Sequence, residues 1–392
     1  MPETLILSAC RTAVGKHMGG LASLSAPQLG AVALREAMAR ANVSPEKVDE
    51  VVMGIVLSAG TGQSAARRAA LGAGIPPAVA AFNVNMVCGS GLKAVMLAAQ
   101  AVRAGDAQCV LAGGMESMSN APHLLRGGRA GFRLGDAKLE DSIVADGLTC
   151  SFEKWHMGSA AEHTAAKFGI TREQMDEFSL ESHRRAIAAQ KSGAFRDEIV
   201  SVEVPVPKGS PIRFERDEGP REETSLEKLA GLKPIFDKAG RVTAGNSSTI
   251  NDGAAAVAVC SEAFARGLGA TPLARIAACA CSGVEPKDLF EAPIAAIAKV
   301  LSLAGWKQDD VDLFEINEAF AAQALADCKA LSLPRERVNV NGGAVALGHP
   351  LGASGARCLA TLLYALKNRK AKRGVVALCL GGGNAVAMAV ER

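Results

Sequence analysis

Short apolar runs alternate with helically spaced apolar positions along almost the whole chain. Thr4-Leu-Ile-Leu-Ser-Ala reads as a first strand, and Glu50 to Leu57, Ala80 to Asn85 and Gln108 to Ala112 read as further strands. Between them, Gln63 to Leu71 and Gly91 to Arg103 have helical spacing, the latter through Leu92, Val95, Met96 and Ala99. Strand and helix in regular alternation predict an α/β layered architecture.

A similar order of short patterns recurs late in the chain. Val48-Asp-Glu-Val-Val-Met-Gly is echoed by Val311-Asp-Leu-Phe-Glu-Ile-Asn, and Asn83-Val-Asn by Asn339-Val-Asn. Cys109-Val-Leu-Ala-Gly-Gly is echoed by Val375-Val-Ala-Leu-Cys-Leu-Gly-Gly-Gly. Each match is short, but the shared order predicts an internal duplication whose two turns face one another. Between the repeats lies a different stretch. It holds an amphipathic helix opened by Thr171 with Gln174 three residues on, a capping box, and a polar run from Lys208 to Glu223. The expected division is an N-terminal half over residues 1–119 plus 250–268, an inserted loop domain over 120–249 and a C-terminal half over 269–392.

Composition narrows the function classes. The chain of 392 residues is 49% hydrophobic and 21% charged, ordinary for a globular protein with large cores. A net charge of +3, no basic tail, one tyrosine and two tryptophans argue against nucleic acid as a partner. No apolar run has the length of a membrane span, and no signal peptide precedes the first strand, so a soluble, cytoplasmic protein with no membrane partner is expected. The ten cysteines lie mostly in apolar stretches, with no disulfide-like framework, which fits a reducing compartment. Cys279 and Cys281 share a strand face without further ligands nearby and read as core; no metal site is expected.

Cys88 is the most informative cysteine. It falls in Asn83-Val-Asn-Met-Val-Cys-Gly-Ser-Gly, a tight turn between a strand and a helix. A helix N-terminus presents free N–H groups and a positive dipole end, both of which favour thiolate. Such a turn offers a reactive sulfur and an amide donor to one carbonyl. Taken alone, the same cysteine is equally compatible with a buried structural thiol. Three late segments change the balance. His349 stands among glycines in Asn341-Gly-Gly-Ala-Val-Ala-Leu-Gly-His-Pro-Leu-Gly-Ala-Ser-Gly; Cys379 ends an apolar strand before Gly381, Gly382 and Gly383; Asn317-Glu-Ala-Phe puts an amide at a strand end.

These four motifs, in this order, resemble the thiolase family of acyl-CoA C-acyltransferases, and the likeness covers essentially the whole chain. Gly113-Gly-Met-Glu-Ser-Met-Ser and Thr243-Ala-Gly-Asn-Ser-Ser also resemble its signatures. The resemblance implies two similar α/β halves, each a five-stranded mixed sheet, layered α-β-α-β-α with the loop domain inserted in the first. It implies that Cys88 carries the acyl group, that His349 takes its proton, and that Cys379 moves the proton at the α-carbon. Asn317 would orient a water that forms one oxyanion hole with His349, and the amides of Cys88 and Gly381 would form the other. Coenzyme A is then substrate and product, no cofactor is needed, and the chain forms a homodimer or dimer of dimers, a homotetramer. The CoA and acyl contacts implied are His156, Met157, Arg221, Ala244, Ser248, Ala319 and Phe320, with Lys208 and Arg213 as looser phosphate candidates. A solvated surface is the alternative for Arg221, a turn serine for Ser248, and packing for Met157 and Phe320.

One segment departs from the pattern. Short-chain biosynthetic members carry Met-Gly-x-Gly-Pro where this chain has Leu289-Phe-Glu-Ala-Pro. Asn246-Ser-Ser leans toward the degradative type. The function implied is condensation of two acetyl-CoA, or thiolysis of a short 3-oxoacyl-CoA, through an acyl-Cys88 intermediate. A longer-chain 3-ketoacyl-CoA thiolase of fatty-acid oxidation is the alternative, and a non-catalytic acyl-CoA binder a further one. A β-ketoacyl synthase is disfavoured by the second cysteine. A nucleotide-binding oxidoreductase is disfavoured by the lack of Gly-x-Gly-x-x-Gly after the first strand.

Overall fold

Thr4–Thr12 (β1) is buried along its whole length, as is expected of a strand covered on both faces. The computed structural model describes residues 3–392. In the first half the chain continues through Ala26–Ala41 (α1), Glu50–Gly54 (β2), Ala65–Gly72 (α2), Ala80–Val84 (β3), Ser90–Ala104 (α3) and Cys109–Ser117 (β4). Then come two helices of the intervening stretch, Met157–Lys167 (α4) and Arg172–Ser192 (α5). The remainder holds Asn251–Ser261 (β5), Ala274–Gly283 (β6), Ala292–Ala304 (α6), Leu313–Ile316 (β7), Ala321–Ala330 (α7), Leu351–Arg369 (α8), Arg373–Leu380 (β8) and Asn384–Glu391 (β9).

The hydrogen-bonded order β3-β2-β4-β5-β1-β6-β9-β8-β7 makes the duplication visible. Read outward from the central β1/β6 contact, the two flanks run through corresponding strands in the same order. The fifth position of the second flank is reduced to an isolated bridge between Phe314 and Val338. Among the described residues the two flanks pair as strands through Leu5 against Arg275 and Ile6 against Ala274.

Helices sort into layers on these flanks. α1 and α2 pack on the outer face of the first with β1, β2 and β4. α6 packs on the outer face of the second. α3 and α8 lie between, in one core with Ile6, Val110 and Val257 on one side and Val376, Leu378 and Met388 on the other. α8 is buried on every side from Leu351 to Leu366, a mostly small and apolar run whose one charge, Arg357, pairs with Glu315 at 3.1 Å. α3 and α8 touch backbone to backbone: a Cβ on Gly91 would stand 2.9 Å from the Ala356 nitrogen. The site follows from this layering, because Cys88 precedes α3 and His349 precedes α8.

Two strand ends differ from the sequence reading. β2 stops at Gly54, because the Val56 and Leu57 amides turn to the Glu116 carboxylate, at 3.1 and 3.2 Å, instead of a neighbouring strand. β4 runs on through Gly113 and Gly114 to Ser117. Those glycines let β5 and α8 approach; a Cβ at either would lie 2.0 Å from the Ala255 or the Gly352 oxygen. The capping box at Thr171 and Gln174 opens α5 as expected.

The intervening stretch is tied down by buried charge. Arg11 of β1 binds Glu198 at 2.6 Å and Asp217 at 2.7 Å, all three side chains fully buried. All ten cysteines are free thiols. Among the described residues no helix is long and apolar enough to cross a membrane.

Candidate active site

The turn before α3 is built to present one thiol. Asn85 Oδ1 accepts from the Val87 amide at 3.1 Å, and Ser90 Oγ, which accepts from the Met86 amide at 2.8 Å, donates to the Val87 carbonyl at 2.6 Å. Val87 is held at φ +47°, a conformation unusual for a β-branched residue. A side chain on the next turn residue, Gly89, would meet Leu380 at 2.5 Å, so the turn sits directly on β8.

Cys88 opens into a cavity of ≈ 490 Å³ whose wall also holds His349, Cys379 and Gly381. Burial pushes the Cys88 thiol up to about 12; its own amide and that of Gly381 pull it down, and Glu116 pushes it further up. The helix-end argument therefore gives the wrong net sign: the donors are present, but removal from water outweighs them. Burial likewise holds the Cys379 thiol well above its ordinary value, and the nearby Cys88 adds to the effect. Both shifts favour the neutral thiol, so any reaction at either sulfur would call for a base.

His349 brings a neutral imidazole to the same cavity. Burial, reinforced by the Arg357 guanidinium, lowers its imidazole to about 3 and keeps it neutral. Nδ1 lies 2.6 Å from Ser354 Oγ, whose hydroxyl donates to the Pro350 carbonyl at 2.8 Å. Nδ1 therefore carries the proton. On the other side Arg357 donates to Asn317 Oδ1 at 3.3 Å, which turns Asn317 Nδ2 toward His349 Nε2 at 3.4 Å. Nε2, which faces that amide group as an acceptor, is therefore the unprotonated, basic nitrogen of the ring. The His349 backbone is fixed by its amide donating to Asn251 Oδ1 at 2.9 Å.

A buried carboxylate holds these parts together. Glu116 accepts from Val56 and Leu57 and from the Gly352 amide at 2.8 Å, joining β4 to the start of α8. Burial raises it to about 7 against those three donors. Glu318 does the same on the other side, accepting from Ser182 Oγ at 2.7 Å, Asn339 Nδ2 at 2.8 Å and the Val345 amide at 3.2 Å.

The cavity grades from wet to dry. Lys16, His17, Arg221 and Ala244 are exposed at its mouth, whereas Met157, Leu289, Phe290, Ala319 and Phe320 are buried at its floor. Ser248 lines it too. His156 stacks on Phe236 with ring centroids 4.7 Å apart and accepts from the Gly158 amide at 3.0 Å. The seven residues expected as CoA and acyl contacts thus line one cavity. Asn317 does not reach the wall: it is 1% exposed and lies behind His349. Lys208 and Arg213 are not among the lining residues; Arg213 pairs with Glu215 at 2.9 Å on the surface. Ser354, Arg357, Asn251 and Glu116 had no role in the sequence reading. Ser354 alone had a local signal, standing in the first helical turn after His349.

A neutral imidazole, two thiols and a cavity that is polar at one end and apolar at the other make a site suited to thioester exchange. The chain belongs to the thiolase family: residues 4–263 match the thiolase N-terminal domain and residues 270–392 the thiolase C-terminal domain. It is 56% identical over 392 residues to the acetyl-CoA acetyltransferase of Cupriavidus necator, covering all of both chains. It is 52% identical over 393 residues to the acetyl-CoA acetyltransferase of Escherichia coli, again covering all of both. Its structure superimposes on the crystal structure of the Bacillus anthracis acetyl-CoA acetyltransferase with a TM-score of 0.98, at 42% identity, covering 100% of this chain and 99% of that one.

Proposed function

We propose that this thiolase-family enzyme is an acetyl-CoA C-acetyltransferase that acts through an acyl-Cys88 intermediate. The neutral, correctly tautomerised His349 in the cavity that exposes Cys88 is the observation that carries the assignment. The acetyl-CoA acetyltransferases that match it end to end supply the substrate class.

In the direction of cleavage, Cys88 gives its proton to His349 Nε2 as the sulfur attacks the 3-keto carbon of acetoacetyl-CoA. The C2–C3 bond breaks, its electrons go to C2, and the Cys379 thiol protonates C2 to release acetyl-CoA. Cys379 thiolate then takes the proton of incoming CoA, whose sulfur attacks acetyl-Cys88. The second acetyl-CoA leaves, and Cys88 recovers its proton from His349. Condensation is the reverse. Both half-reactions place negative charge on a thioester or ketone oxygen. The Cys88 and Gly381 amides, already directed at the sulfur, are the donors for one such oxygen, and His349, oriented by Asn317 behind it, serves the other once it holds the proton. A fixed donor of this kind is worth about 3 kcal/mol in the transition state. Every proton is carried by these side chains or by CoA, so the sequence of steps calls for no metal or redox group.

CoA enters by the exposed mouth. Arg221 serves its phosphates, Ala244 and Ser248 its pantetheine arm, and Ala319 and Phe320 the acyl end. The segment 120–249 is the loop domain that brings most of these contacts to the two halves. A homo-oligomer, dimer or dimer of dimers, in the cytoplasm completes the reading. The test is rapid-quench peptide mass spectrometry after mixing with acetoacetyl-CoA: an acetyl adduct of 42 Da, about the mass of C2H2O, on Cys88 supports it, and an adduct elsewhere or none contradicts it.

A further inference from the structure

Phe290, in the segment Leu289-Phe-Glu-Ala-Pro, lines the cavity that also holds Cys88. The ring is only 2% exposed and packs against Phe320 edge to face, with centroids 5.4 Å apart and planes at 61°. Both belong to the apolar cluster that contains Met157 and the Cys379 side chain. The two rings therefore close the dry end of the cavity, opposite the mouth that admits CoA. Cys88 lines the same cavity as these two rings.

The segment that carries the ring is fastened rather than loose. Asp288 and Glu291 flank it, and Lys167, the last residue of α4, reaches both carboxylates, at 3.0 and 2.5 Å. His163, one turn earlier on α4, adds a contact to Asp288 at 2.9 Å. Two carboxylates gripped from one helix tie the segment that carries Phe290 to α4.

We propose that Phe290, locked by the Lys167 clamp, is the residue that limits acyl length in this enzyme to the acetyl and acetoacetyl range. The proposal rests on the reading of Cys88 as the acyl carrier. One methylene against a tight apolar wall is worth about 10- to 200-fold in kcat/KM. Two extra carbons therefore place 3-oxohexanoyl-CoA well below acetoacetyl-CoA for the native enzyme, by about 100-fold or more.

The experiment measures thiolysis kcat/KM for acetoacetyl-CoA and 3-oxohexanoyl-CoA with native enzyme, Phe290→Ala and Phe290→Leu, and reports the ratio of the two. Phe290→Ala should raise the ratio in favour of the longer substrate by at least about 10-fold, with Phe290→Leu between it and native. Phe290→Leu keeps most of the buried volume and carries the test if the alanine variant does not fold. A ratio unmoved in every folded variant overturns the proposal, as does a native enzyme that already cleaves both substrates equally. Acyl labelling of native Cys88 is read alongside. Its absence would strike the underlying functional reading, whereas labelling with an unmoved ratio strikes the assignment of Phe290 alone.

Discussion

Ser354 Oγ stands 2.6 Å from His349 Nδ1 while donating its own proton to the Pro350 carbonyl, so a single hydroxyl decides which nitrogen of the imidazole is basic. A helix start thereby sets the chemistry of the cavity. Because α8 is buried on all sides, Ser354 has no solvent to compete for it.

Ser354→Ala removes the acceptor at Nδ1 without touching the cavity wall. The tautomer is then no longer fixed, and kcat should fall about 10- to 100-fold, with KM for acetoacetyl-CoA changed less than about threefold. Steady-state kinetics read this directly. A variant with native kcat would show that the hydroxyl does not orient the base.

The depressed imidazole also has a signature in stability. Burial, with Arg357 beside it, pushes the His349 imidazole down to about 3 from an ordinary value of 6.5. A group depressed in this way stabilises the fold above its unfolded value, and the benefit is lost as pH falls toward the folded one. Native enzyme should therefore lose about 1.4 kcal/mol more than His349→Asn between about pH 7.5 and 5.5 in urea titrations. Glu116 runs the other way: raised from 4.5 to about 7, it favours the fold most at low pH and loses that contribution as pH rises. It is present in both proteins and cancels in the difference. Equal losses for the two would contradict a neutral buried His349.

Arg11 is the shared cation of a fully buried triad outside the cavity. Arg11→Met leaves Glu198 and Asp217 buried without their shared cation. The cost should be about 3 to 5 kcal/mol, seen as a lowered urea midpoint at neutral pH. A loss under about 1 kcal/mol would mean that the segment from 195 to 218 does not depend on this triad for its place on β1.

Glycine-rich turns made Cys88, His349 and Cys379 legible, because each interrupts a strand or helix pattern within a few residues. The duplicated order of strands was legible for the same reason. What sets the properties of those residues was not. Glu116 meets the Gly352 amide across 236 positions of chain, and Asn251 meets the His349 amide across 98. No local pattern marks such partners. The sign of the Cys88 shift was hidden likewise, since a helix end is visible in sequence and the depth of its burial is not. The ends of β2 and β4 were misjudged where a carboxylate captured amides and where glycines admitted a neighbouring backbone. The fifth strand expected in the second half shrank to the Val338 bridge, which only the folded register reveals.

The division of labour between the two thiols is the central claim, and Cys379→Ser tests it most directly. With acetyl-CoA as sole substrate, one sample gives the fraction of Cys88 acetylated within the first turnover and the rate of acetoacetyl-CoA formation. Acetylation of Cys88 should stay within about threefold of native, because His349 still takes its proton, while condensation falls by about 100-fold or more. Full condensation by this variant, or loss of Cys88 acetylation together with it, would contradict the assignment of carbon acid–base chemistry to Cys379.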